Sequence, residues 1–139
     1  MIPDYTLLDH TADFGLEVRA ADEASLIASA ILAITDAMFG LDSVVPSFPV
    51  SFQVLADDPE MRLVLALSEA IFRIDADGIL PAEVSVAAAA EGAWTIRMRC
   101  DLLDPARHRH RIVFKAVTFH GLEVLETPTG WIGHVVLDA

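Results

Sequence analysis

Three short stretches carry side chains that could do chemistry. His10-Thr11-Ala12-Asp13 sets an imidazole, a hydroxyl and a carboxylate just ahead of a strand-like pattern. Alone it reads as a turn, with Asp or Thr bonding the local backbone. Lys115-Ala116-Val117-Thr118-Phe119-His120 would, as a strand, put Lys115 on one face and His120 on the other. Lys115 then reads as a cation snorkelling from a sheet edge, and His120 as a half-buried, hydrogen-bonded histidine. Leu137-Asp138-Ala139 reads as a frayed, solvated end unless Asp138 is tied down beside another ligand.

Other candidates fail on their own terms. Asp75-Ala76-Asp77-Gly78 resembles part of a calcium loop, but the register puts Arg73 at the first ligand position and Val84 at the bidentate glutamate. His108 and His110 could share a strand face and bind zinc as a pair. They lie among arginines without evident further ligands, so both are expected to be solvated. Neither a glycine-rich phosphate loop nor a G-x-S-x-G elbow occurs. Cys100 follows an apolar alternation and is expected in the core.

The elements that would position these residues are set by bulk properties first. A chain of 139 residues with 54% apolar residues fits one domain over 1–139 and has ample core. Asp36, Glu69 and Arg73 break the longest apolar stretches, so no window spans a bilayer. The start, MIPDYTLLDH, lacks the basic and apolar parts of a signal peptide. Cys100 has no internal disulfide partner, and a cytoplasmic location is expected. The formal charge is −12, which repels polyanions such as RNA. Yet Arg97, Arg99, Arg107, Arg109, Arg111 and Lys115 make up six of the nine basic residues. That stretch reads either as a docking edge for an acidic or phosphate-bearing surface, or as a solvated strand pair.

Phe14, Leu16, Val18 and Ala20 alternate with Gly15, Glu17 and Arg19, the period of a half-buried strand. Asp22 or Ser25 caps a helix carrying Leu26, Ile27, Ala30, Ile31, Ile34 and Met38 at helical spacing, stopped by Gly40. Val50, Phe52, Val54 and Ala56 alternate again. Asp57-Asp58-Pro59-Glu60 then opens a second helix with Val64, Leu67, Ile71 and Ile74 inward, ending near Gly78. Strands are predicted over 84–90, 94–100, 112–120, 122–127 and 131–138, with a turn at Pro128-Thr129-Gly130. Short links imply antiparallel pairing. The expected fold is α+β, a mainly antiparallel β-sheet with two amphipathic helices packed on one face.

At these residues the chain resembles the archease family over essentially its whole length. The likeness rests on His-Thr-Ala-Asp at 10–13, the helix around Leu67-Ser68-Glu69-Ala70-Ile71 and Asp-Gly at 77–78. Lys-Ala-Val-Thr-Phe-His at 115–120 and the late acid Asp138 complete it. The resemblance implies an accessory factor of an RtcB-type RNA ligase in tRNA splicing and RNA repair. Such a factor promotes guanylylation of the ligase histidine and multiple turnover, and is not itself an enzyme. Its partner is then the ligase, with RNA met only through it and no membrane involved. The implied metal ligands are Asp13, Asp138 and the main-chain carbonyl of Ala139. Hard oxygen donors of this kind suit a divalent ion, Ca²⁺ or Mg²⁺. His10, Lys115 and His120 are expected to contact the partner or to orient the ligands, His120 through a hydrogen bond to Asp13. Two differences from the family pattern bear on partner contact: residues 64–68 read Val-Leu-Ala-Leu-Ser, and Arg99-Cys100-Asp101 replaces the usual Gly-Glu. Two other functions compete. One is a metal-dependent phosphoester hydrolase with His10 or His120 as base. The other is a general chaperone-like protein-binding module.

Overall fold

A computed structural model of the protein describes residues 2–9 and 13–139. The elements run β1 (Asp4–Asp9), β2 (Asp13–Ala20), α1 (Glu23–Phe39), a 3-10 turn (Leu41–Ser43), β3 (Phe48–Leu55) and α2 (Pro59–Asp77). They continue with β4 (Ile79–Ala88), β5 (Ala93–Leu102), β6 (Ala116–Thr127) and β7 (Gly130–Asp138). The α+β class with mainly antiparallel sheet is as the sequence predicts. The strands divide into two sheets, ordered β1-β2-β7-β6 and β3-β5-β4. No described helix is long and apolar enough to cross a membrane.

The caps fall where the sequence puts them. Asp22 accepts the Ser25 N–H at 2.7 Å, and Asp58 accepts the Met61 N–H at 2.8 Å. Gly78 closes α2 in the left-handed region, φ 64°, where a side chain would be strained.

Helix α1 contacts both sheets, chiefly through β4 and β2, and α2 contacts β6, β4 and β3. This explains why α1 is buried almost all round, with Leu26, Ile27, Ile31 and Ile34 at 0–1% exposure. Gly133 of β7 lets both helices approach: a Cβ there would stand 3.2 Å from Leu26 and 3.3 Å from Leu63. The helices are bolted together at their first turns. Arg62 donates to Glu23 through Nε at 2.6 Å and a terminal nitrogen at 2.9 Å. The guanidinium also lies 4.8 Å over the Trp94 ring.

Three expectations change. Residues 4–9 form a strand that alternation did not single out. The runs predicted at 112–120 and 122–127 are one strand that starts only at Ala116. Between Thr118, opposite Val136, and Glu123, opposite His134, the register shifts in an irregular bulge, four residues of β6 standing against Val135. Gly121 turns it at φ 61°. Lastly, His108 is not solvated: it is 3% exposed. Residues 103–115 are a loop strapped over the end of α1. The Arg111 N–H donates to the Met38 carbonyl at 2.7 Å, and the His110 ring lies 4.4 Å from that of Phe39.

Candidate metal centre

The two ends of the chain meet in the centre of one sheet. Strand β2 pairs with β7 so that Asp13 stands directly opposite Asp138 and Phe14 opposite Leu137. Residues opposite each other in an antiparallel pair share a face, with Cβ atoms roughly 4.5–5.5 Å apart. Phe14 and Leu137 point to the core, where Phe14 meets the Phe114 ring edge-on at 5.8 Å. Asp13 and Asp138, one step along each strand, therefore lie on the outward face, side by side.

Asp138 is not frayed. Besides Asp13, it pairs with Ala116 at the start of β6. Its carbonyl accepts the Lys115 N–H at 2.7 Å. Asp138 itself is exposed and Asp13 half-buried. Two carboxylates held together at an open strand end repel each other and offer hard oxygens to one cation.

The remaining predicted residues are distributed around this pair. Ala139 follows Asp138 directly and is exposed. Lys115 touches the pair through its main chain. His120 sits exposed in the β6 bulge, its N–H 3.4 Å from the Thr118 hydroxyl, so strand alternation does not carry it to the face of Ala116 and Thr118. His10 lies outside the described residues. Among the described residues no three His, Cys, Asp or Glu side chains group closely enough to hold a metal. The two carboxylates fit a hard ion completed by a main-chain carbonyl, which is the set the resemblance implies.

A second polar cluster went unread in the sequence. Asp101, 4% exposed, accepts the Val45 N–H at 3.0 Å and the Leu102 N–H at 2.8 Å. Arg107 grips it with two nitrogens at 3.1 and 3.2 Å. The Arg107 hydrogen bonds hold the Asp101 carboxyl well below the usual carboxylate range, against the opposing effect of burial. His108 Nδ1 accepts the Asp104 N–H at 2.9 Å, so in the neutral ring Nε2 carries the proton. It donates to the Ser43 carbonyl at 3.0 Å, with Asp101 at 3.2 Å. This cluster fastens the strap. The six basic residues of 97–115 are thereby split: Arg97 and Arg99 stand on β5, Arg107 is bound to Asp101, and Arg109, Arg111 and Lys115 belong to the strap. Cys100 is fully buried, and burial pushes its thiol up to about 11, which makes it a poor nucleophile.

Residues 5–139 match the model of the Archease protein family (MTH1598/TM1083). The chain is 31% identical to the protein archease of Methanopyrus kandleri, over 94% of this chain and 96% of that one. It shares 25% identity with the protein archease of Thermococcus kodakarensis, over 94% of each. The fold superposes on the solution structure of Methanobacterium thermoautotrophicum protein 1598 with a TM-score of 0.81, covering 97% of this chain and 98% of that one at 24% identity. A crystal structure from Thermotoga maritima, described as an archease and possible chaperone, gives 0.63 at 17% identity, with 95% and 94% covered. With its family model matched over nearly the whole chain, the protein belongs to the archease family.

Proposed function

We propose that this chain is a metal-binding accessory factor of an RtcB-type RNA ligase, promoting guanylylation of the ligase histidine and sustaining multiple turnover. Family membership supports the class, and the description of the Thermotoga maritima relative as a possible chaperone agrees with a protein that acts on another protein. The single observation that carries the metal reading is the direct pairing of Asp13 with Asp138.

In this account Asp13, Asp138 and the Ala139 carbonyl hold Ca²⁺ or Mg²⁺. The bound ion supplies positive charge at a point where phosphate oxygens of the ligase reaction can meet it. The chain's own groups do the positioning. The Lys115 N–H anchors the Asp138 main chain at 2.7 Å and keeps the late strand in register. The Lys115 ammonium reaches for a phosphate or a ligase carboxylate. His120, from the bulge, touches the ligase, and His10 touches it or orients Asp13.

The test is ligase guanylylation with and without this protein. Wild type is expected to stimulate it, Asp13→Ala and Asp138→Ala to lose most of that stimulation while keeping a native circular dichroism spectrum. Full stimulation by Asp13→Ala refutes the proposal.

A further inference from the structure

Sheet edges present unpaired N–H and C=O groups, and folded proteins usually blunt them with proline, bulges or charge. Three of the four edges here are blunted. Strand β3 contains Pro49. Strand β4 contains Pro81 and a register shift between Pro81 and Glu83. Strand β6 slips between Thr118 and Glu123. Strand β1 differs: its six residues stay in unbroken register with β2, from Asp4 opposite Arg19 to Asp9 opposite Phe14. It has no proline and no bulge, and its charges, Asp4 and Asp9, are confined to its two ends. Asp4, Thr6, Leu8 and Asp9 are exposed, and none of its residues is fully buried.

A second feature opens beside the start of that strand. A concavity of about 350 Å³ is lined by Ile2, Pro3, Asp36, Leu41 and Asp42. Asp36 is held in place, accepting the Tyr5 hydroxyl at 2.7 Å and the Leu41 N–H at 2.8 Å. Asp42 is exposed. Among the described residues, the Arg111 guanidinium reaches Gly40 nearby, one cation against the two lining carboxylates. Apolar walls with an acidic rim suit a side chain with an aliphatic stem and a cationic head.

We propose that β1 accepts an extended, basic segment of a partner protein as a fifth strand, with one lysine or arginine seated in the concavity at Asp36 and Asp42. Main-chain bonds along the edge supply affinity, and the concavity supplies selectivity. A second copy of this chain is the poorer occupant, because two bodies each of formal charge −12 repel. The proposal stands apart from the ligase reading: the edge and the concavity lie on β1, whichever protein supplies the strand.

Two capped peptides probe it, Thr-Val-Thr-Lys-Thr-Val-Thr and the same sequence with Glu for Lys. Binding is read by fluorescence anisotropy, and its place by amide hydrogen exchange of the full chain. The lysine peptide is expected to bind at least tenfold more tightly, slowing exchange within Asp4–Asp9. Asp42→Asn is expected to cut that preference severalfold, and Thr6→Pro to abolish binding. Should Thr6→Pro fail to fold, Asp42→Asn, an exposed change, still decides. Equal affinity for the two peptides overturns the proposal, as does slowed exchange elsewhere than β1 or no binding. Protection of β1 that grows with protein concentration without peptide would assign the edge to a second copy instead, and would overturn it too.

Discussion

At the scale of single residues, three acids on one chain sit in contrasting surroundings. Asp13 and Asp138 stand together at an open strand end, so the charge each carries opposes the other. Asp101 is buried, but Arg107, two backbone N–H groups and His108 converge on it. Its carboxyl is held low in the folded state, so the stability it contributes is complete above about pH 5. That contribution is lost as pH falls through the unfolded aspartate value near 4 toward the depressed folded one. Asp101→Asn is therefore expected to cost about 1–3 kcal/mol at pH 7. Urea melts should show its deficit against wild type shrinking at pH 3. A deficit unchanged by pH would mean that the charge of Asp101 is irrelevant to the fold. The alternation around Cys100 made that cysteine legible as core. The burial of Asp101 and His108 was not legible, because their partners lie on the turn before β3 and in a loop whose path is fixed only by tertiary packing.

At the scale of elements, the helices were the most readable part. Capping aspartates, a first-turn proline and terminal glycines act through local chemistry, and Asp22, Asp58, Gly40 and Gly78 all stand where that chemistry puts them. What the helices pack against is non-local, and the division of the strands into two sheets did not show in their period. Nor did the bulge in β6, which ends the alternation that would have carried His120 to the face of Thr118. The Glu23–Arg62 pair is likewise a tertiary fact: the two residues lie 39 positions apart and are each 9% exposed. Glu23→Ala leaves the arginine buried without its partner and is expected to destabilise the fold by about 3–5 kcal/mol. The double variant Glu23→Ala, Arg62→Met should recover most of that loss in denaturant melts. A double variant as unstable as the two single changes summed would mean that the pair is not coupled.

At the scale of the whole molecule, the sheet order brings an early strand and the last one side by side. That single topological step turns two acids 125 positions apart in number, Asp13 and Asp138, into neighbours. The residue types of the candidate site were legible in the sequence, through short stretches whose order and spacing resemble a family. Their meeting depends on which strands pair, and no local pattern encodes that. The same topology leaves β1 at the sheet margin and gathers the basic strap at the end of α1, close to where Lys115 meets Asp138. Calorimetric titration of Ca²⁺ and of Mg²⁺ into the metal-free protein tests the account most directly. Wild type is predicted to bind one ion, and Asp13→Asn and Asp138→Asn each to bind it at least tenfold more weakly. Undiminished binding by both variants, or none by the wild type, would contradict it.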